Sequence, residues 1–305
     1  MTSANLESGV FALEQARSDA LAQHYQAQGW VHLRGWLDLE TDILPIHAYV
    51  NHLIDLKLAW MGLRSVEPKD KRAIRSADYL QLCRVDRELG GEIYRACRHL
   101  CALHRLSTKP ELLDVSARLM GTEFVNFIPY TAMRIDVRGE EKYLFPWHQD
   151  YPYTQGSIDG VVLWIPLFDL AEGEGGVSLI PGSHQWGLQP VEVVDPDNVR
   201  RNGAHTIRIA NMERFDGMAT VTPRVKAGDI LLFSTLLVHR SEPMTAGDVR
   251  WTTQIRYANF SNPDAVRRGW PGGMIEGVHF ERDHPEFIVR GGDVPAGDEV
   301  SVHGR

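Results

Sequence analysis

Lys226-Ala227-Gly228-Asp229-Ile230-Leu231-Leu232-Phe233 reads as a tight turn entering a buried strand, and the chain runs on as Ser234-Thr235-Leu236-Leu237-Val238-His239-Arg240-Ser241. Gly and Asp supply the turn, and the unbroken apolar run supplies the strand. The same grammar recurs on either side. Phe124 to Val137, Val161 to Phe168, Val177 to Ile180, His205 to Ile209 and Arg250 to Phe260 are rich in β-branched and aromatic residues, with Gly, Pro, Asp and Asn between them. Before Gly121 the pattern is helical instead. Leu13, Ala16, Ala20, Leu21 and Tyr25 recur at helical spacing until Gly29, and residues 43–62 carry Ile46, Val50, Leu53, Ile54 and Leu58 on one side. Residues 89–106 and 110–120 repeat the pattern, the second entered at Pro110 and ended by Gly121, while Trp30 to Leu37 reads as a short strand turning at Gly35. Helices followed by many short strands predict an α+β fold whose strands form a sandwich or barrel.

From residue 263 onward the chain is Gly- and Pro-rich (Trp270-Pro271-Gly272-Gly273, Gly291-Gly292) and reads as an irregular wrap ending in a loose tail. Neither an internal repeat nor a convincing linker divides the chain. We therefore expect one domain over 1–305: a helical half to about residue 121, a barrel over about 122–262, and the wrap over 263–305.

Composition narrows the partners. Of 305 residues 43% are hydrophobic and 24% charged, the proportions of a globular protein with a real core. The net charge is −8, from 32 basic and 40 acidic residues, with no block of consecutive Lys or Arg. That argues against nucleic acid or an anionic membrane as the main partner, and leaves a small molecule. No stretch reaches the roughly 20 apolar residues of a membrane span. The opening Met1-Thr2-Ser3-Ala4-Asn5-Leu6-Glu7 lacks a basic segment followed by an apolar run, so no secretory signal is expected. Cys83, Cys97 and Cys101 cannot all pair with one another, and a reducing cytoplasmic home is the simplest expectation.

The chemistry concentrates in Phe145-Pro146-Trp147-His148-Gln149-Asp150-Tyr151. If this stretch is a strand, His148 and Asp150 project to one face. An imidazole and a carboxylate aimed at one point are two-thirds of a facial metal triad, which a second imidazole completes while leaving three octahedral positions open. His239, at the end of its apolar run, is where a barrel would return to its own mouth. Taken alone it also fits a histidine hydrogen-bonded at the edge of a core. Arg250, eleven residues further on, opens Arg250-Trp251-Thr252-Thr253-Gln254-Ile255-Arg256-Tyr257. An arginine on a strand beside such a metal can clamp a dicarboxylate through paired, charge-assisted hydrogen bonds. Arg256 shares its face, and pattern alone does not choose between them.

The sequence resembles the phytanoyl-CoA 2-hydroxylase family of Fe(II)- and 2-oxoglutarate-dependent oxygenases, which includes the ectoine hydroxylases. The resemblance runs from His24-Tyr25-Gln26-Ala27-Gln28-Gly29-Trp30-Val31-His32-Leu33-Arg34-Gly35-Trp36-Leu37 through His148-Gln149-Asp150 and Gly175-Gly176-Val177-Ser178-Leu179-Ile180-Pro181-Gly182-Ser183-His184. It closes with Gly228-Asp229, His239 and Arg250, at the family's histidine-to-arginine interval of eleven. It implies a double-stranded β-helix, a cupin-like jelly-roll barrel with flanking N-terminal helices. It also implies Fe(II), 2-oxoglutarate and O2 as cofactors, with His148, Asp150 and His239 as iron ligands. Arg250 would hold the far carboxylate of 2-oxoglutarate, helped by Ser241, with Trp164 and Met133 lining it; ordinary barrel core is the competing reading for those last two. A lysine that binds cosubstrate in some members has no counterpart here. The implied reaction hydroxylates an unactivated C–H bond of a small-molecule metabolite and releases succinate and CO2. A carboxylate at position 150, where related halogenases carry a small residue, favours hydroxylation over halogenation.

For the substrate, Tyr151, Tyr153 and Gln155 follow the ligand pair, and Arg75, Tyr79 and Gln81 lie in the helical half where this family draws contacts; surface or hinge positions are the plain alternative. A CoA thioester would call for a basic cluster that is not evident. His279 and His284 fall in the wrap, where closing over the pocket competes with the plainer reading of mobile surface. Cys97, Cys101, His99 and His104 resemble a zinc set, but buried helix cysteines fit better. Two rivals stay open: a cupin-like isomerase or hydrolase using zinc or manganese, and a small-molecule-binding barrel that has lost catalysis.

Overall fold

The computed structural model describes residues 9–70, 72–128, 132–193, 207–270 and 280–289. Strand β1 (Val10–Ala12) runs parallel to β2 (Trp30–Arg34), with helix α1 (Asp19–Gln28) between them. Ser18 caps α1 by accepting from Leu21 N, and Gly29 ends it in the left-handed conformation at φ 78, a stop that favours glycine. The helical half continues with α2 (Leu44–Trp60), α3 (Ser76–Val85), α4 (Arg87–Cys97), α5 (Cys101–Leu106) and α6 (Pro110–Met120). The 89–106 pattern is thus two helices, interrupted after Cys97. Helix α3 carries no clear apolar stripe because its buried face includes Asp78 beside Tyr79 and Leu82.

The strands follow: β3 (Asn126–Phe127), β4 (Ala132–Val137), β5 (Val161–Pro166), β6 (Val177–Leu179), β7 (Val191–Val193), β8 (Ile207–Ile209), β9 (Ile230–Ser234), β10 (His239–Ser241) and β11 (Val249–Ala258). A short helix α7 (Tyr151–Thr154) interrupts them, and α8 (Pro263–Arg267), α9 (Phe280–Asp283) and β12 (Ile288–Val289) close the chain. The larger sheet has the order β1-β2-β9-β5-β11-β3, with β4 also paired to β11. Apart from β1–β2 its pairings are antiparallel. The smaller sheet pairs β10 with β6, and single bridges from His148 to His239 and from Leu179 to Val221 widen it on both sides. Strands β12, β7 and β8 form a third small sheet.

Two cores follow from strand alternation. The outer face of the larger sheet (Met133, Leu163, Ile165, Trp251, Ile255, Tyr257) packs with Ile46, Ile54, Leu82, Ile93 and Leu112 of the helical half. The inner face sends Val162, Trp164, Leu231 and Phe233 toward Val177, Leu179 and Val221 of the smaller sheet. Two facing sheets with helices against one of them make the expected jelly-roll. The wrap is less loose than its composition suggests, since Phe280 and His284 are buried. Thr131, His205, Pro271 to His279, and Gly291-Gly292 lie outside the described residues. Among the described residues no helix is long and apolar enough to cross a membrane, and all three cysteines are free thiols.

Candidate active site

His148, Asp150 and His239 meet, but not as alternate residues of one strand. His148 sits on the isolated bridge to His239, their backbones exchanging hydrogen bonds of 2.9 and 3.0 Å. Asp150 is one residue past the extended stretch, at φ −75 and ψ −28, where the chain turns into α7. The turn, rather than a two-residue period, swings the carboxylate toward both rings. Its Oδ1 lies 3.4 Å from His148 Nε2 and 3.6 Å from His239 Nε2. Two ligands about 2.1 Å from one ion can be no more than about 4.2 Å apart, so both of these pairs are close enough for a single ion to bridge.

Hydrogen bonds behind the rings fix which nitrogens face inward. His148 Nδ1 lies 2.8 Å from Pro146 O, and His239 Nδ1 lies 2.8 Å from Leu237 O. A carbonyl only accepts, so each Nδ1 carries a proton, and it is each Nε2 that faces the centre, the nitrogen with the lone pair in a neutral ring. Burial, with His148 alongside, pushes His239 down to about 3, keeping it neutral. Burial alone would raise Asp150, but the Arg256 guanidinium and the two imidazoles hold its carboxyl well below the usual carboxylate range. Three buried donors, two inward-facing imidazole nitrogens and a carboxylate oxygen, suit a divalent cation. The Cys97–Cys101 pair, already set aside as a zinc set, is divided: Cys97 is buried at the end of α4 as expected, while Cys101 is exposed on α5.

A second cluster lies along the inner face. Arg250, 3% exposed, donates from Nε and Nη2 to Asp136 Oδ2 at 3.2 and 3.0 Å. Arg134 Nη2 takes the other oxygen at 2.6 Å. Burial would raise the Asp136 pKa, yet the two guanidinium groups hold it below the ordinary value. Two guanidinium groups thus converge on one carboxylate, and guanidinium groups so placed can also receive the far carboxylate of a dicarboxylate. Arg250 Nη1 also donates to Glu242 O at 3.1 Å, one residue past Ser241. Gly175, at φ 79, makes room for it, since a Cβ there would overlap Arg250 Nη1. Between Arg250 and Gln254, the Thr252 hydroxyl is buried and has no hydrogen-bond partner. Such an orphan costs stability unless a ligand reaches it. Arg134 in turn lies 5.0 Å above the Phe145 ring, which is 4.8 Å from the His148 ring, linking this cluster to the metal trio.

The other expected residues divide. Trp164, opposite Gln254 on β11, lies on the inner face. Met133 does not: it pairs with Thr253 and packs into the outer, helix-facing core, because it is one residue out of phase with Arg134 and Asp136. Tyr153 borders the centre, its ring edge-on to His148 at 5.9 Å and its hydroxyl donating to Ile207 O. Tyr151 points away, its hydroxyl 3.1 Å from His284 Nε2, so His284 braces the wrap instead of facing the pocket. Gln155 is buried in a positive-φ conformation (φ 47), and its Oε1 has no partner. Arg75 and Tyr79 belong to the outer side. Arg75 pairs with Asp78 and Asp55, and Tyr79 meets Trp251 edge to face. Gln81, on the same helix, is half-buried with its Oε1 unpartnered. The sequence reading missed Asp136, Arg134, Phe145 and Thr252 as neighbours of the site. It left Arg256 undecided against Arg250.

The model of the family described as phytanoyl-CoA dioxygenase (PhyH) matches residues 97–252. The chain is 30% identical over 242 residues to the 1-deoxypentalenic acid 11-beta-hydroxylase of Streptomyces arenae, spanning 75% of this chain and 76% of the relative. The Streptomyces exfoliatus hydroxylase of the same name is 29% identical over 238 residues, with 74% of each chain covered. Among solved structures, EctD from S. alaskensis, determined with 2-oxoglutarate and 5-hydroxyectoine, superposes with a TM-score of 0.50 at 16% identity, over 81% of this chain and 78% of that one; at that identity it supports the fold alone. With the jelly-roll, the three convergent donors and this match, the chain belongs to the phytanoyl-CoA dioxygenase family of Fe(II)- and 2-oxoglutarate-dependent oxygenases.

Proposed function

We propose that the protein hydroxylates an unactivated C–H bond of a small-molecule metabolite, using His148, Asp150 and His239 as iron ligands and Arg250 as the anchor of 2-oxoglutarate. The observation that carries this is the convergence of those three buried side chains, one ligand atom from each lying within 4.8 Å of the others. When bound there, Fe(II), 2-oxoglutarate and O2 would supply the oxidant, one oxygen atom going to the C–H carbon and the other to succinate as CO2 leaves. The chain's own residues supply the rest. The Nδ1–H bonds to Pro146 and Leu237 hold both imidazoles with their lone pairs inward. Arg250, turned inward by its place on β11 and steadied by Asp136, offers its charge to the far carboxylate; the Thr252 hydroxyl on the same face, and Ser241, whose neighbour Glu242 accepts from Arg250 through its carbonyl, are the candidates to assist it. Trp164 and Phe233 keep water from the inner wall.

Two features favour hydroxylation over halogenation. Asp150 fills the place a halide would take, and the two streptomycete relatives are named as hydroxylases. Tyr153 and Gln155 are the substrate-facing candidates that fit the geometry best, since Tyr153 flanks His148 and Gln155 Oε1 lacks a partner. Anaerobic titration with Fe(II) and then 2-oxoglutarate tests the proposal. The weak visible metal-to-ligand charge-transfer band should form with the native protein and vanish in His148→Ala. Folded, metal-loaded native protein without the band would sink it.

A further inference from the structure

Arg250 and Arg256 share one face of β11, yet their six-residue separation is about 20 Å of extended strand. They cannot serve the same carboxylate. Arg250 has Asp136 and the far end of the pocket. Arg256, 6% exposed, donates from Nε to Asp150 Oδ2 at 2.7 Å, and its Nη2 reaches the Gln254 side chain two residues back. The carboxylate of Asp150 is therefore divided. Oδ1 faces the two imidazole nitrogens, while Oδ2 faces a guanidinium.

We infer that Arg256 is a positioning residue that holds Asp150 to ligation through Oδ1 alone, and so keeps three coordination positions open. This rests on the reading of Asp150 as an iron ligand. An octahedral ion held by three protein atoms has three places left, enough for a chelating 2-oxo acid and dioxygen. A carboxylate that bound through both oxygens would take a fourth place and compete with the 2-oxo acid. Arg256 prevents this by engaging the second oxygen with a short, charge-assisted hydrogen bond. Gln254, on the same face of the strand, accepts from the neighbouring Nη2 and so helps to fix the angle at which the guanidinium meets Asp150. Arg256 lies beyond the stretch 97–252 that the family model matches, and its role comes from this contact alone.

The test separates binding of metal from binding of cosubstrate. In Arg256→Gln, Co(II) titrated alone should still bind, with a visible spectrum shifted toward higher coordination. The dissociation constant of the Fe(II)-loaded protein for 2-oxoglutarate should rise about tenfold or more, within the range that outer partners of metal ligands command. Arg256→Lys, which can still donate to Oδ2, should recover at least half of that loss on a logarithmic scale. Gln254→Leu, which loosens the guanidinium without removing it, should show a loss of the same kind but smaller, and it carries the test if Arg256→Gln does not fold. Native 2-oxoglutarate affinity and a native Co(II) spectrum in these variants would overturn the inference, as would an Arg256→Lys protein no better than Arg256→Gln. If the native protein itself forms no charge-transfer band, the iron and cosubstrate assignment fails first, which is a distinguishable result.

Discussion

The two faces of β11 are built from interleaved residues of one strand and do opposite work. Trp251, Ile255 and Tyr257 point outward into the helical half, where their polar tips are satisfied: Trp251 Nε1 donates to Ser76 Oγ at 2.9 Å and Tyr257 Oη to Ser107 O at 2.8 Å. Arg250, Thr252, Gln254 and Arg256 point inward. There, two guanidinium groups engage carboxylates and the Thr252 hydroxyl is left unpaired. The outer face resembles a protein interior. The inner face holds polar groups whose stabilisation is incomplete without a ligand. A period of two thus lets one strand separate stability from chemistry with no added structure.

That separation can be broken in graded ways. His148→Ala should abolish 2-oxoglutarate turnover and the charge-transfer band while leaving the far-ultraviolet circular dichroism of the metal-free protein native. A global loss of structure would mean that the inner trio is structural. Trp251→Ala should do the reverse. Removing a fully buried indole costs about 3–5 kcal/mol, read as a lower urea midpoint, while the folded protein keeps its 2-oxoglutarate affinity. If affinity falls and stability does not, the two faces are not separable. Arg250→Lys is expected to weaken 2-oxoglutarate binding by roughly 10- to 100-fold, the value of one or two hydrogen bonds to a charged group, with the Fe(II) site itself intact in a metal titration.

Much of this division was legible in the residues. The switch from helical to strand grammar at Gly121, the buried run ending in His239 and the eleven-residue step to Arg250 all appear where the sequence placed them. What stayed hidden is mostly side-chain partnership across the sheet. Asp136 and Arg134 become neighbours of Arg250 and Thr252 only through the β4–β11 register, which depends on which strands pair and is invisible to spacing along one of them. The alternation argument for His148 and Asp150 reached the right neighbours by a wrong local structure, because the chain turns into α7 at Asp150. Arg75 and Tyr79 show the converse. Polar residues on a helix beside a catalytic barrel look like pocket lining, but α3 packs against the outer face of the sheet. Arg75 answers to Asp78 and Asp55 there, and Tyr79 to Trp251. Arg256 was in view, and its phase matched Arg250; only the contact with Asp150 tells the two apart.

The smallest expected effect comes from Met133, whose place on β4 is the most direct check of phase. It lies between Ala132 and Arg134, pairs with Thr253, and is wholly buried in the outer core. If that assignment holds, its thioether never meets 2-oxoglutarate. Leucine has nearly the same volume, and such swaps in a packed core cost less than about 1.5 kcal/mol. Met133→Leu should therefore lower the urea midpoint slightly and leave the 2-oxoglutarate dissociation constant and the charge-transfer band unchanged. Met133→Ala should deepen only the stability loss, to about 2–5 kcal/mol, because the added cavity would open against the helices. A shift in cosubstrate affinity with Met133→Leu, at unchanged stability, would put Met133 on the inner face. β4 would then be displaced by one residue against β11, and Asp136 and Arg134 would leave the pocket with it.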